Sequence, residues 1–520
     1  VALPTLVVEA DWDANGTFDG GVEDITADVE RIRIAYGRQG PLGIASPATC
    51  EIVLANDDAR YSPENVGSPL SPNVKPRRKV RIRTTAPVAK TKFVGRIDTI
   101  SVEAALDARK ANLNCADEMA FLLREQGAIY TLPTGDPVGY LEPDASGIGP
   151  LTGDTVIAVL DAAGWPAGGA NRVLDVGISE LDTYWVAGVD PLSALSALVD
   201  EDLGYAYVRG DGAFVFEDRS HRHESDHLTV QATYSDLPSA ALHYDDLETY
   251  DYNLESIYNL VRAQARPRKS TAGVTIWRLP IPADSAGTPN PPRIPPGGSE
   301  TFIATWDNPA SGTFGSGFTA NGNPGGYGPD LTSQVAKVEG TKYVTRWAIT
   351  LTNNSTQDAY ITALAVTARV RQPIDEPSEQ VVLDASSQTA YGPREFPHGP
   401  QFIGKTQQAK NWANYALIMY KQPTTMLKLG FGPYDDTVLT EMLTRELSDR
   451  VFIRNTELFG AGQDKTYFVE GIEHEYVCGE SGPKEWRTYL TLSYFDNATV
   501  FWNLGTVNRG ELGLVTRLFG

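Results

Sequence analysis

Alternation of apolar and polar side chains at period two runs through most of this chain and predicts strands. In DVERIRIAY, Asp28 to Tyr36, Ile32 and Ile34 share one face and Arg31 and Arg33 the other. The two arms of the stretch from Ala48 to Arg83 repeat the pattern. Ala48, Cys50, Ile52 and Leu54 fall on one side of the first, and in the second Val80 and Ile82 alternate with Lys79, Arg81 and Arg83. Each arm is a strand with one buried and one wet face. Between them Asn56-Asp57-Asp58 and Pro63, Pro69, Pro72 and Pro76 exclude regular structure, so the connection is a long excursion and not a tight hairpin. FVGRIDTI, Phe93 to Ile100, and the alternating Ala111, Leu113 and Cys115 add further strands.

The period then changes. Asp117 is placed to cap a helix carrying Met119, Phe121, Leu122 and Leu123, and TGDTVIAVLDAAG predicts another, with Thr152 or Asp154 as cap and Gly164 as stop. A third begins at Asp190 with Pro191 in its first turn and Leu192, Leu195, Leu198 and Val199 as its apolar face. YAYVRGDGAFVFEDR is a hairpin about Gly210-Asp211-Gly212. Residues 281–300, crowded with Pro, Gly and Ser, and 308–330, rich in Gly and Asn, flank or interrupt TFIATW, KYVTRWAITLTNN and DAYITALAVTARV. These alternate as antiparallel strands and predict an inserted β-sandwich. QQAKNWANYALIMYKQ and DDTVLTEMLTRELSD read as helices, TMLKLGF and VFIRN as strands, and KTYFVEGIEHEYV with EWRTYLTLSYF as a hairpin. The tail FWNLGTVNRGELGLVTRLFG is apolar and turn-rich, and is expected to pack on a neighbour or on its own barrel.

The run N-D-D-A-R-Y-S-P-E-N from Asn56, followed by S-P-L, R-R-K-V-R-I-R and F-V-G-R-I-D-T-I, resembles the N-terminal tube-type barrel of tail-tip or baseplate hub proteins (minor tail proteins) of long-tailed bacteriophages. The resemblance is most specific over Val7 to Asp117, recurs more weakly near 190–265 and 405–520, and leaves out about 270–375. It implies a mainly β, multidomain α+β chain with two tube-type antiparallel β-barrels, a small α/β module and the inserted β-sandwich. The expected boundaries are 1–115 for the first barrel, 116–245 for the α/β module, 246–268 with 376–500 for the second barrel and its helices, 269–375 for the sandwich and 501–520 for the tail. YDYNLESIYNLVRAQARPR, Tyr250 to Arg268, is then similar to the family's helix or turn entering a strand of the second barrel.

Length and composition fit this organisation. At 520 residues the chain exceeds one ordinary core and predicts three or four domains. Its 41% hydrophobic and 9% aromatic residues exclude a disordered chain. No apolar run approaches the roughly 20 residues that span a bilayer, and the opening residues do not read as a secretory signal. The net charge of −22 argues against a protein that grips phosphates. An acidic wall suits a conduit through which DNA passes without sticking, although most acidic proteins are simply well solvated.

Several clusters are candidates for chemistry. In DWDANGTFDGG, Asp11, Asp13, Asn15 and Asp19, with Gly16, stand as in the front of a calcium loop, but position twelve is Val22, with Glu23 and Asp24 just beyond. The stretch is either a calcium site or an Asp/Asn/Gly turn; no other cofactor is implied. His221, His223 and His227 in HRHESDH fit zinc less well than a solvated loop, since no second ligand cluster supports them. His474-Glu475 lacks the second histidine of a zinc motif. Cys50, Cys115 and Cys478 are widely spaced, and the first two fall on inward strand faces as small core residues. Arg31, Arg33, Arg77, Arg78, Lys79, Arg81 and Arg83 make basic faces in an acidic chain, to be met by solvent and neighbouring strands or by the acidic edge of another subunit. Trp277, Trp306, Tyr327 and Trp347 are core residues or a platform for a cell-surface glycan. No Gly-x-Ser-x-Gly, Cys/His pair or zinc signature stands in context, so an enzyme such as a wall hydrolase is not expected.

By resemblance, the chain is expected to form a homotrimer whose barrels supply six positions to a six-fold neighbour. Its partners would be the distal tail protein ring, the tape-measure protein and a central tip or fibre protein, at the tail tip of a virion assembled in the host cytoplasm. DNA would cross the lumen without specific binding. The alternative is a carbohydrate- or receptor-binding tail protein that works through the inserted sandwich.

Overall fold

The structure, a computed structural model, describes residues 3–38, 44–105, 108–124, 140–144, 146–252, 254–283, 287, 289–374, 376–432, 435–456, 464–477 and 484–494. It is mainly β, with several antiparallel sheets. The expected tail, 501–520, and Cys478 lie outside the described residues.

The largest sheet has twelve strands. In chain order they are β1 (Thr5–Asp11), β2 (Val29–Gly37), β3 (Ser46–Ala55), β4 (Lys79–Ala86), β5 (Lys90–Ala105), β6 (Ala108–Ala116), β7 (Ala232–Ser235), β8 (Asp246–Asp251), β9 (Met426–Phe431), β10 (Arg450–Arg454), β11 (Lys465–Val477) and β12 (Glu485–Tyr494). The first six pair in the order β1-β4-β5-β6-β3-β2 and the last six in the order β7-β10-β11-β12-β9-β8. The second half therefore repeats the connectivity of the first. The repeat extends to single residues. Cys115 lies opposite Cys50 on one side and Ile97 on the other, and Leu492 lies in the same way between Leu427 and Val469. The register of each long strand slips at the next residue, Asp98 in β5 and Glu470 in β11. The halves differ at one edge: β1 runs antiparallel to β4, whereas β7 runs parallel to β10.

Ile32, Ile34, Cys50, Ile52, Leu54, Val80 and Ile82 are all buried on one face, as their shared parity predicts. The two tube-type antiparallel β-barrels implied by the resemblance are not present as closed barrels among the described residues. Among the described residues no closed barrel forms, because the outer edge of β2 is taken by β11, from Arg31 opposite Val477 to Gly37 opposite Gly471. Pairing thus continues from one repeat into the next. One hydrophobic cluster accordingly spans both, from Val8 and Ile52 to Leu429, Ile472 and Leu490. Gly37 is required at this seam: its φ is +102°, and a Cβ there would meet Glu470 O at 2.3 Å.

Between the repeats, helices α1 (Glu118–Arg124), α2 (Thr152–Ala162) and α3 (Pro191–Asp202) pack with the hairpin Tyr205–Val208/Phe214–Glu217 around a second cluster. Asp190 caps α3 by accepting the Ser193 N–H, and Leu203 ends it in the left-handed region. Asp117 likewise accepts the Met119 N–H at the start of α1. For α2 the expected caps fail: its N-cap is Leu151, without a side-chain bond. Contact made the difference, since Gly153 lies against the carbonyls of Asp175 and Val176, where a Cβ would come within 2.3 Å of each. A short helix, α4, spans Ser225–Leu228.

The chain between β8 and β9 leaves the large sheet. Among the described residues a turn at 254–256, and not a helix, follows Tyr250 and leads into the strand Leu260–Ala265, which pairs with Ser378–Leu383 and packs under α6 (Thr406–Tyr420), while α5 spans Ala385–Tyr391. Beyond it, one sheet built on the long strand Ala359–Pro373 and a second sheet of three strands share a cluster around Trp347, Ile349, Ile361 and Val366. Helix α7 (Asp436–Thr444), capped by Asp435, precedes β10.

Arg268 lies directly opposite Pro373, so the excursion leaves and returns at adjacent points. Deleting residues 273–372 and bridging the gap with a short flexible linker is therefore expected to leave the large sheet folded, with one cooperative transition by circular dichroism. Aggregation of the shortened chain would show that the excursion is integral to the fold.

Candidate functional site

The two repeats and the α/β module meet at one buried carboxylate. Glu470, the slipped residue of β11, is 2% exposed. Its Oε1 accepts from Arg222 Nη1 at 2.6 Å and from the Ser493 hydroxyl, and its Oε2 accepts from Arg38 Nε at 2.7 Å and Arg222 Nη2 at 3.0 Å. Arg38 follows β2 in the first repeat, and Arg222 comes from the α/β module. The two guanidinium groups stack on Tyr205, at 3.5 and 4.0 Å from its centroid. Arg222 Nε donates to Ser448 Oγ, whose hydroxyl donates to Glu217, and Tyr207 donates to the same Glu217. Burial alone would raise the Glu470 carboxyl, but Arg222 and Arg38 outweigh it and hold the group down to about 2.

Beside it, the Nδ1 of His221 lies 2.9 Å from Asp175 Oδ2 and its Nε2 3.1 Å from His227 Nε2. Burial lowers His221, but the bond to Asp175 and the charges of Glu217, Asp175 and Glu224 push it up to about 9, whereas burial and His221 lower His227. The structure thus joins two of the three histidines by a hydrogen bond between ring nitrogens. Among the described residues no third ligand atom lies within 4.8 Å of both nitrogens to complete a zinc site. His474 is a buried core histidine bonded to Thr488.

The basic strand faces find partners within the chain. Arg31 binds Glu51 at 3.0 Å, Arg33 approaches Glu473 of the second repeat at 3.8 Å, and Arg81 and Arg83 share Glu9 at 2.7 and 3.1 Å. Burial would raise Glu9, but the two arginines hold it below the usual carboxylate range. Arg78 binds the carbonyl of Asn73, Arg77 has a left-handed φ of 71°, and Lys79 lines a crevice of about 300 Å³ with Arg96, Glu118, Trp165 and Asp211.

In the Asp-rich loop, Asp11 accepts from the N–H groups of Asn15 and Gly16, Asp13 from Asn15, and Asp19 from the side chains of Asn15 and Thr17. Carboxylate oxygens of Asp11, Asp13 and Glu23 lie within 4.8 Å of one another. Glu23, one residue past the expected twelfth position, is the acid that turns in, while Val22 points outward. Burial and the charges of Asp13, Asp11 and Asp19 raise the Glu23 carboxyl. The four aromatic candidates do not share a surface. Trp347 is wholly buried, with its indole donating to Gly340 O, Trp277 and Trp306 pack on the same core, and Tyr327 alone stands 95% exposed.

The Glu470 cluster escaped the sequence reading. Its signal was a Glu between Val469 and Gly471 inside an otherwise apolar strand; Arg222, set among histidines, carried none.

No protein-family model matches the chain, and no curated protein matches it. Among solved structures it is similar to the tail protein from Neisseria meningitidis MC58, with a TM-score of 0.47 and 11% identity over 94% of this chain and 96% of that one. It is also similar to the 43 kDa tail protein of prophage MuSo2 from Shewanella oneidensis, with a TM-score of 0.45 and 11% identity over 94% and 98% of the respective chains. A third is an Escherichia coli component of the type VI secretion system, described as structurally similar to phage T4 tail proteins, with a TM-score of 0.36 and 10% identity over 90% and 74%. These neighbours are tail proteins and a tail-like secretion component.

Glu470→Gln is expected to lower unfolding stability by about 3–5 kcal/mol at pH 7, since two arginines lose their buried counter-charge. Because the Glu470 carboxyl is depressed in the folded chain, its contribution is complete above about pH 4.3 and fades as pH falls through the folded value. Denaturant titrations should show this acid loss in the parent and not in the variant. For the loop, a divalent cation would relieve the repulsion among Asp11, Asp13 and Glu23. The Tm is expected to be higher in calcium than in chelator, and Asp13→Ala to remove the difference. Equal melting in the parent would assign the loop as a hydrogen-bonded turn.

Proposed function

We propose that the chain is a structural hub of a bacteriophage tail tip. Three copies form a ring that joins the six-fold tail tube or distal tail ring to the central tip and surrounds the path of DNA ejection. The observation that carries this reading is the duplication of one six-stranded unit within a single sheet. Two tube-like units per chain and three chains provide six similar positions, which is what a three-fold ring needs to meet a six-fold neighbour. The seam between the repeats supports it, because β2 of one unit meets β11 of the other in a head-to-tail contact, the kind that closes into rings. The net charge of −22 and the pairing of the β2 and β4 arginines with Glu51, Glu473 and Glu9 fit a lumen that holds phosphate weakly.

On this reading the organisation follows the one expected from sequence, with 1–115 and 246–268 with 376–500 as tube-like units, 116–245 as the α/β module and 269–375 as an inserted sandwich, except that the second unit also takes β7 (Ala232–Ser235) from within 116–245. The distal tail protein, the tape-measure protein and the tip protein are its neighbours. The sandwich points away from the channel. There Ile303 and Val338, exposed on the outer face of its three-stranded sheet, and Tyr327 offer a surface for a host receptor.

Imaging of the assembled particle tests the reading. The expected result is three copies around the channel at the tail tip, with Asp and Glu dominating the lumen. A particle carrying the 273–372 deletion is expected to assemble and to lose adsorption. A peripheral location, or a lumen lined by Lys and Arg, would overturn the conduit.

A further inference from the structure

The internal repeat makes a definite statement about the edge that the fold leaves open. In the first repeat the outer edge of β2 is covered by β11, with Ile34 opposite His474, Ile32 opposite Tyr476 and Tyr36 opposite Ile472. In the second repeat the strand equivalent to β2 is β8. It ends the sheet, and among the described residues its outer edge has no strand partner.

The surface equivalent to the covered part of β11 is open as well. β4 pairs with β5 only from Lys90 to Arg96, so from Asp98 to Ala105 the described chain pairs β5 with β6 alone. In β11 the corresponding division holds: β10 covers Lys465–Phe468 and β2 covers Gly471–Val477. Among the described residues the chain thus has one β2-type edge, on β8, and one β11-type segment, Thr99–Ala105 of β5, that no further strand covers, in opposite halves of its sheet.

The register follows from the equivalences already described. Ile34 and Tyr250 occupy corresponding places, opposite Cys50 and Leu427. Ile472 and Ile100 correspond, opposite Leu490 and Leu113. His474 therefore corresponds to Val102. The observed pairs Ile34–His474 and Tyr36–Ile472 translate into Tyr250 opposite Val102 and Tyr252 opposite Ile100. Three of these four positions carry large apolar side chains partly in solvent: Val102 is 40%, Tyr250 37% and Tyr252 60% exposed, with Leu254 at 48% beyond them, while Ile100 is half-buried against the core. Their counterparts Ile34, Tyr36, Ile472 and His474 are all buried at the existing seam. An apolar, unpaired sheet edge is a template for another strand.

We infer that β8 of one copy of this chain adds antiparallel to the Asp98–Ala105 segment of β5 in a second copy, with Tyr250 opposite Val102. The occupant is a second copy because the chain already contains both halves of this contact and joins them once, at β2 and β11. The inference deepens the ring reading, on which it rests for the expectation that successive contacts close at three copies. Opposite charges are not needed across the new pair and like charges are avoided in it: Thr249 falls opposite Glu103, and Asp251 opposite Ser101.

Paired cysteines test it. Cα atoms opposite each other on antiparallel strands are about 4.5–5.5 Å apart, within the range a disulfide spans. In a Cys478→Ser background, the double variant Val102→Cys/Tyr250→Cys is expected to yield intermolecular disulfides under mild oxidation, giving a covalent dimer and trimer on a non-reducing gel. Each single variant, and the out-of-register pair Val102→Cys/Leu247→Cys, should give much less. As a second measurement, Val102→Lys alters an exposed site and should leave the Tm unchanged while reducing the oligomer at least tenfold in mass measurements.

The outcomes separate the two ideas. Cross-linked chains that do not close at three keep this pairing and overturn the three-fold ring. A trimer without the Val102–Tyr250 cross-link, or one untouched by Val102→Lys, overturns the pairing and leaves the ring standing. A chain that stays monomeric and forms no cross-link at high concentration overturns both.

Discussion

The architecture turns on burying one carboxylate, Glu470, between two guanidinium groups. A lone ionised side chain in such a place would be costly, and neither Arg38 nor Arg222 would tolerate burial without it. Each of the three comes from a different part of the chain: Arg38 from the end of the first strand repeat, Glu470 from the slipped residue of the second, and Arg222 from the module between them. Tyr205, whose ring both cations approach, adds the hairpin to the same contact. The charges are satisfied only when all these parts are docked together, so the ion cluster specifies a relative placement that apolar packing alone would leave looser.

The slip at Glu470 explains why the acid is there. It turns a residue of a paired strand out of the ladder and toward the module, at the place where Arg38 leaves β2 and donates its backbone N–H to the Glu470 carbonyl. The equivalent slip in the first repeat carries Asp98, just before the segment that, among the described residues, pairs with β6 alone. One geometric device thus serves the completed seam and stands ready at the uncompleted one. On the proposed pairing the chain contains one contact complete and the two halves of a second, and head-to-tail repetition of such a contact closes into a ring when the rotation per copy divides a full turn. The hub function proposed here draws on that property of the sheet more than on any single side chain.

Among the local expectations, those that depend on neighbours along the chain held. Asp190 and Asp117 cap their helices, the Gly210-Asp211-Gly212 turn closes its hairpin, and the inward set Ile32, Ile34, Cys50, Ile52, Leu54, Val80 and Ile82 is buried. The cap expected for α2 did not, because the close approach of Gly153 to a distant loop governs that terminus. Trp347 gave no local sign of whether it was core or platform. An indole serves either purpose, and only the packing of two sheets around it decided.

The sequence by itself determined strand faces, turns and most helix limits, since period, capping and turn chemistry act over a few residues. It also carried the repeat, although at so low a similarity that the matching positions Cys115 and Leu492 share only their apolar character. Tertiary structure decided which edge meets which. Period two states which face of a strand is buried and says nothing of its lateral partner, because every edge offers the same row of N–H and C=O groups. For that reason the two expected barrels emerged as one open sheet, and Glu470, Arg38 and Arg222, separated by hundreds of residues, became a single site only once β2 had chosen β11.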